Sequence, residues 1–158
     1  MNKKKKVIFI ASSGGHLTQL LQLKPLFTDY DSYLITEKDA STSALIVDGA
    51  KVLFFSPTRK NKIMEYLWGN LKALLLSVKY FFSIKPDVVV STGAGISVYI
   101  CYLAKSFGRK IIFIETYAAI RGKSGAGRMV YPIADRFYVQ WESMKHLYPK
   151  SIYKGTLY

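Results

Sequence analysis

Three short stretches hold the residues whose types and spacing could do chemistry. Ser12-Ser13-Gly14-Gly15-His16 ends one apolar run, and Ser91-Thr92-Gly93-Ala94-Gly95 ends another. Glu115 closes a third, ahead of a polar loop that holds Arg121, Gly122, Lys123 and Ser124 and runs to Gly127. Glycine lets a backbone approach a ligand closely and permits positive φ. A helix opening directly behind such a turn offers free N–H groups to an anion. Ser13, Gly14, Gly15, Thr92, Gly93, Gly95 and Arg121 are therefore the candidate phosphate-binding set. His16 is the candidate general base or orienting group for a hydroxyl, since imidazole titrates near neutrality. A residue that merely opens a helix fits the same position. Glu115 is the second candidate catalytic group, because a carboxylate ending an apolar strand is costly to bury without a partner. His146, near a helix end, reads as a surface residue.

Two familiar phosphate loops fail on spacing. A dinucleotide fingerprint needs further glycines after Gly14, where the chain has Gly-Gly-His-Leu-Thr-Gln. A P-loop would need glycine where Tyr117 stands before Gly122-Lys123-Ser124, and that segment follows a loop rather than a strand. Cys101 is the sole cysteine, which excludes an intrachain disulfide and a multi-cysteine metal site. No metal or cofactor is expected, and Cys101, inside an apolar stretch, reads as core.

The elements that must position these residues alternate. Strands are expected over Val7–Ala11, Ser32–Thr36, Lys51–Phe55, Asp87–Ser91, Lys110–Glu115, Arg136–Gln140 and Ser151–Lys154. Helices are expected over His16–Phe27, Ser41–Asp48, Lys62–Lys85, Ile96–Phe107, Arg128–Ala134 and Glu142–Leu147. Solidly apolar strands alternating with helices imply an α/β fold, an open doubly wound parallel sheet covered on both faces. Ligands of such sheets bind beyond the carboxyl ends of the strands, where all three chemical stretches fall. The chain's 158 residues make one domain spanning 1–158.

The charge is lopsided, with 23 Lys+Arg against 10 Asp+Glu and a net +13, so an anionic partner is expected. The helix at 62–85 narrows the choice. Its apolar core of about 22 residues would extend ~33 Å, long enough to tempt a membrane-spanning reading. Glu65, Lys72 and Lys79 recur every seventh residue and share one face, and Lys72 at a bilayer midplane would cost about 3 kcal/mol. The rest of the helix is apolar over a wider arc than a sheet-covering helix needs. Trp68, Lys72, Lys79, Phe81 and Phe82 are therefore read as an interfacial, anionic-membrane-facing patch. The basic residues form no aromatic-laced groove, so nucleic acid is not an expected partner. The short N-terminal apolar run is no signal peptide, and the chain reads as cytosolic.

The combination of "SSGGH", "PDVVVSTGAG", "IIFIETYAAIRGKSGAGRMVYPIADRFYVQW" and "YPKSIYKGTLY" resembles the Alg-fourteen/PssD family over nearly the whole chain. CpsF-type bacterial relatives act in capsule and exopolysaccharide synthesis. The resemblance implies the N-terminal, acceptor-side half of a GT-B glycosyltransferase, with a Rossmann-like fold. It implies a membrane-associated accessory subunit that binds a lipid-diphosphate-linked sugar and recruits a separate catalytic subunit holding the UDP-sugar. It places Gly14, Gly15 and His16 on the first acceptor loop, Thr92, Gly93 and Gly95 near the lipid diphosphate, and Glu115 as the acidic residue after strand five. It makes Tyr153, Leu157 and Tyr158 the partner-docking end. The implied location is the cytoplasmic face of the plasma membrane, peripherally attached. A self-sufficient single-domain transferase is the first alternative, and a nucleic-acid-binding module, suggested by the charge, is the second.

Overall fold

The structure, a computed structural model, describes residues 3–56 and 63–158. Among these residues seven strands form one fully parallel sheet: β1 (Lys6–Ile10), β2 (Asp31–Glu37), β3 (Ala50–Phe55), β4 (Val88–Ser91), β5 (Lys110–Ile114), β6 (Arg136–Val139) and β7 (Ile152–Tyr153). Their order is β3-β2-β1-β4-β5-β6-β7, so the winding reverses between β1 and β4. The central strands are apolar on consecutive residues because both of their faces are covered. Ile8, Phe9 and Ile10 are all buried. The doubly wound parallel sheet expected from the sequence is the observed fold.

Among the described residues, four α-helices and two 3₁₀ turns connect the strands: α1 (Gly15–Leu21), α2 (Ile63–Ile84), α3 (Gly95–Ser106), α4 (Gly125–Val130), and the turns Lys24–Leu26 and Glu142–His146. One sheet face, with Ile8, Ile10, Val89, Ile111 and Phe113, packs against Ala73, Phe81 and Ile84 of α2, Cys101 of α3 and Val130 of α4. The other face, with Val7, Phe9, Leu34 and Val90, packs against Leu17 and Leu20 of α1 and against Phe27. That second face is covered incompletely. A groove of about 720 Å³ runs over β1, β4, β5 and β6, lined by Phe9, Val90, Ile112 and Tyr138 and closed by the tail at Gly155–Leu157.

Three helix expectations are corrected. Ser41–Asp48 is a run of turns, not a helix. The Asp39 carboxylate accepts the backbone N–H groups of Ser41 (2.8 Å) and Thr42 (3.1 Å), competing with helical pairing. The helix expected to reach Phe27 stops at Leu21, and Pro25 then sits in a separate 3₁₀ turn. The helix expected at Arg128–Ala134 starts at Gly125, where Ser124 caps it by accepting from the Gly127 N–H at 2.9 Å, and it ends before Pro132.

The long helix follows its expected course, although Lys62, with Arg59 and Lys60, lies outside the described residues. It ends at Lys85, whose φ of 54° is a left-handed terminator ahead of Pro86, and Lys6 Nζ donates to the Ile84 carbonyl at 3.0 Å. At 100° per residue, Ala73, Ser77, Phe81 and Ile84 share the stripe that faces the core, and all four are buried. Phe81, expected at the membrane patch, is therefore core, packed on Phe107 with ring centroids 5.3 Å apart. Met64, Leu67, Trp68, Leu71, Leu75 and Phe82 form an opposite stripe that is exposed, with Trp68 at 58%. Lys72 and Lys79 are exposed at its edge, and the Lys72 ammonium lies 5.5 Å from the Trp68 ring. Among the described residues no helix is long and apolar enough to cross a membrane.

Candidate functional site

The reversal between β1 and β4 opens a crevice at the carboxyl edge of the sheet, and the first two glycine turns meet there. They are tied reciprocally. Thr92 Oγ1 donates to the His16 carbonyl at 2.7 Å, and His16 Nδ1 lies 3.0 Å from the Thr92 carbonyl. A carbonyl can only accept, so Nδ1 carries the proton and the neutral ring keeps its lone pair on Nε2. Gly93 makes this possible. Its φ is 115°, and a Cβ there would stand 2.9 Å from His16 Cε1 and Nδ1.

The next residue carries backbone strain. Ala94 has φ 90° and ψ 152°, a region that is glycine territory and costs about 1–3 kcal/mol elsewhere. Ala94 is also the N-cap of α3 and supplies no side-chain cap, so the first N–H groups of this 12-residue helix are not taken by a capping side chain. Ser91 Oγ holds the Gly93 N–H at 3.0 Å beneath.

A cavity of about 480 Å³ lies in front of that helix start. His16 and Gly95 line it, with Thr116, Ser124 and Gly125 from the β5–α4 segment and Asn70 and Tyr99 from α2 and α3. Of the phosphate-binding candidates, Gly95 alone lines this cavity. Thr92 is fully buried and spends its hydroxyl on His16. Ser13 donates to the Asp39 carboxylate. That bond, followed by those from Ser41, holds Asp39 well below the usual carboxylate range. Gly14 and Gly15 are exposed, with φ of 80° at Gly14 starting α1. Arg121 is exposed on the loop beyond.

Glu115 is not at the cavity surface. It is fully buried, and its two oxygens accept from the Thr116 N–H (2.9 Å), the Ser124 N–H (3.4 Å) and the Tyr148 hydroxyl (2.5 Å). Burial and then the carboxylate beside it push the Tyr148 hydroxyl well above its ordinary range, so this proton stays on the tyrosine. Glu115 is thus a brace for the cavity wall at Thr116 and Ser124, rather than the catalytic group its sequence position suggested. Gly127 completes the arrangement. A Cβ there would fall 2.5 Å from the Tyr148 hydroxyl and closer still to Glu115 Oε2.

A buried amide relay, which the sequence did not reveal, joins the remaining parts. Gln140 Nε2 donates to Gln19 Oε1 (2.6 Å) and to the Glu115 carbonyl (3.0 Å), while Gln19 Oε1 also accepts the Tyr117 N–H at 3.0 Å. Gln140 Oε1 accepts the Leu157 N–H at 2.9 Å and so pins the tail to the sheet edge. Tyr158 stacks edge-on against Tyr117, at 5.3 Å, and the Trp141 indole donates to the Tyr117 carbonyl at 2.7 Å. Of the docking candidates, Tyr153 and Tyr158 are exposed and Leu157 lines the groove on the sheet face.

Comparison with known proteins bears on the family and the fold. Residues 7–157 match the family described as oligosaccharide biosynthesis protein Alg14 like. The chain is 27% identical to the human UDP-N-acetylglucosamine transferase subunit ALG14, over 96% of this chain and 82% of that protein. It is 29% identical to the Schizosaccharomyces pombe subunit of the same name, over 97% and 83%. Among solved structures it superposes on Acinetobacter baumannii MurG with a TM-score of 0.75 at 14% identity, covering 96% of this chain and 45% of that one. It superposes on the UDP-N-acetylglucosamine 2-epimerase of Rickettsia bellii with a TM-score of 0.71 at 12% identity, again covering 45% of that chain. The chain therefore spans about half the length of these structures and has the Rossmann-like fold of one GT-B half. With a family match running from β1 into the tail, the chain belongs to the Alg14-like oligosaccharide biosynthesis family.

Proposed function

We propose that the chain is the acceptor-binding, membrane-associated subunit of a two-component glycosyltransferase. A separate catalytic subunit holds the nucleotide-sugar, a UDP-sugar by analogy with the transferase subunits it is related to. The observation that carries this reading is the position of the His16 cavity. It lies at the sheet's switch point and is lined by Asn70 from the same helix that exposes a basic-edged apolar stripe. A lipid-linked sugar diphosphate needs both a cavity that offers some hydrogen-bonding groups and a greasy surface on the neighbouring helix.

In this reading the stripe around Trp68, Leu71, Leu75 and Phe82 rests in the headgroup region, with Lys72 and Lys79 toward anionic lipid. The diphosphate meets the uncapped start of α3 at Gly95. The acceptor hydroxyl faces His16. Nε2 accepts its proton as the oxygen bonds to the anomeric carbon of the donor, and the bond from that carbon to the nucleoside diphosphate breaks. Holding both substrates across a subunit boundary supplies proximity. The partner docks along the tail at Tyr153, Leu157 and Tyr158 and covers the apolar groove on the sheet face. The setting we propose is lipid-linked capsular or exopolysaccharide assembly at the cytoplasmic face of the plasma membrane. It rests on the resemblance to bacterial members.

The test is reconstitution. The purified chain alone should show near-zero transfer from UDP-sugar to a polyprenyl-diphosphate sugar, and activity should appear on adding the catalytic subunit. His16→Ala should lower the activity of the pair about 10²-fold while leaving vesicle binding unchanged. Robust turnover by the chain alone, or tight UDP-sugar binding without a partner, would instead establish a self-sufficient enzyme.

A further inference from the structure

His16 stands on a helix that its surroundings must hold in place. Helix α1 has seven residues, fewer than an isolated helix needs to persist in water, so its contacts set its position. Leu17 and Leu20 pack it on the sheet, and apolar packing is non-directional. Direction comes from the flank of that apolar stripe, where His16 and Gln19 stand three residues apart and share one side of the helix. His16 is tied to the Thr92 turn, as described above. Gln19 is buried and tied to the ends of β5 and β6. Its Oε1 accepts the Tyr117 N–H at 3.0 Å and a Gln140 Nε2–H at 2.6 Å.

Gln140 is the junction. It is buried, it follows β6 directly, and its amide bonds in three directions. One N–H goes to Gln19, the other to the Glu115 carbonyl at 3.0 Å, and Oε1 takes the Leu157 N–H at 2.9 Å. Only one orientation of the amide satisfies these neighbours. The flipped amide would set N–H against the Leu157 N–H and oxygen against the Glu115 and Gln19 oxygens.

We infer that Gln140 is a positioning residue of the acceptor site. Through Gln19 it sets the placement of the helix that presents His16, and through Leu157 it makes that placement depend on the tail. The inference rests on the roles proposed above for His16 and for the tail, and it adds a link between them. A catalytic subunit that holds the tail also holds the His16 ring with its proton on Nδ1 and its lone pair on Nε2. Such a link is reciprocal, so an acceptor that orders His16 also favours docking.

The imidazole itself reports the link. Nitrogen-15 spectra of the full-length chain at about pH 8.5, where the ring is neutral, show which nitrogen carries the proton. The substitution His146→Gln leaves His16 as the one histidine signal. The wild-type ring should be protonated on Nδ1. Gln140→Met, similar in size and without an amide, should lower the ratio of Nδ1–H to Nε2–H roughly threefold or more, the scale of one weakened hydrogen bond. Gln19→Met should do the same, and the double variant no more than either alone, because both act through one bond. Leu157→Pro removes one N–H at the tail and leaves the core intact. It should move the ratio the same way by a smaller factor, and it decides the matter if Gln140→Met folds poorly. In the reconstituted pair, Gln140→Met should lower kcat about tenfold with KM for the UDP-sugar unchanged. A merely structural role would lower the melting temperature and leave the tautomer ratio where it was. A wild-type ratio in Gln140→Met and Leu157→Pro, or a wild-type ring protonated on Nε2, overturns the inference and leaves the acceptor reading standing. If the ratio moves but His16→Ala leaves the pair fully active, the role proposed for His16 fails, and this use of the tie with it.

Discussion

Gly127→Ala is a one-methyl change with a large expected effect. In an exposed helix, alanine would stabilise by up to about 1 kcal/mol over glycine. At Gly127 the new methyl would be 2.5 Å from the Tyr148 hydroxyl and nearer still to Glu115 Oε2, both fully buried. Neither neighbour can give way cheaply. Moving the carboxylate away breaks its 2.5 Å bond from Tyr148 and strands a charge, at about 1.5–3 kcal/mol. Overpacking adds about 1–3 kcal/mol. After the gain in helix propensity, the net loss is about 1.5–5 kcal/mol, or roughly 3–20 °C in Tm for a chain of this size. Thermal unfolding followed by circular dichroism reads it directly. Gly125→Ala is the matched control, since nothing lies within 4 Å of a Cβ there, and it should melt at or above the wild-type temperature. Removing the hydroxyl in Tyr148→Phe should make room, so Gly127→Ala should cost at least 1 kcal/mol less in that background. A Gly127→Ala protein melting within about 2 °C of wild type would refute the account of Glu115 as a tightly packed brace. So would an undiminished cost in the Tyr148→Phe background.

Two further outcomes are expected. Lys72→Glu with Lys79→Glu reverses two exposed charges beside the apolar stripe, at about 1 kcal/mol per charge removed near an anionic surface. Sedimentation with phosphatidylglycerol vesicles should show binding weakened more than tenfold, and binding to phosphatidylcholine vesicles should hardly change. Cys101 is fully buried, and burial pushes its thiol from 9.0 up to about 12. A folded pKa raised for an acid favours the neutral native form. That contribution is complete below pH 9 and is lost as pH rises through the window from 9 to 12, at up to about 1.4 kcal/mol per unit. Urea midpoints should therefore fall more steeply above pH 9 in the wild type than in Cys101→Ala, and iodoacetamide should label Cys101 only on unfolding.

The sheet was readable because each inner strand is a short apolar run bounded by turn residues, and parallel packing demands that pattern. Helix ends were less readable. The segment Ser41–Asp48 has helix-compatible leucine and alanine, but Asp39 captures its first N–H groups through side-chain bonds that periodicity does not register. Phe81 and Phe82 look alike in sequence, yet 100° of rotation sends one into the core and leaves the other exposed. At the site, the glycine turns announced themselves by composition. Glu115 announced itself as well, but with the wrong role, because the partner that neutralises the cost of its burial is Tyr148, 33 residues away. The Gln19–Gln140 bond spans 121 residues and left no local trace. One signal was available: Gly127 stands in the first turn of a helix where alanine would serve better, and there the carboxylate and the tyrosine need the space.

The half-covered second face of the sheet has a bearing on the chain's life outside any complex. A groove of about 720 Å³ floored by valine, phenylalanine and isoleucine is the kind of surface that holding chaperones and surveillance proteases recognise. Under the pairing proposed above, the catalytic subunit would bury that groove, and copies lacking a companion would be the ones that leave it open to such factors. The abundance of the chain would then follow that of its companion.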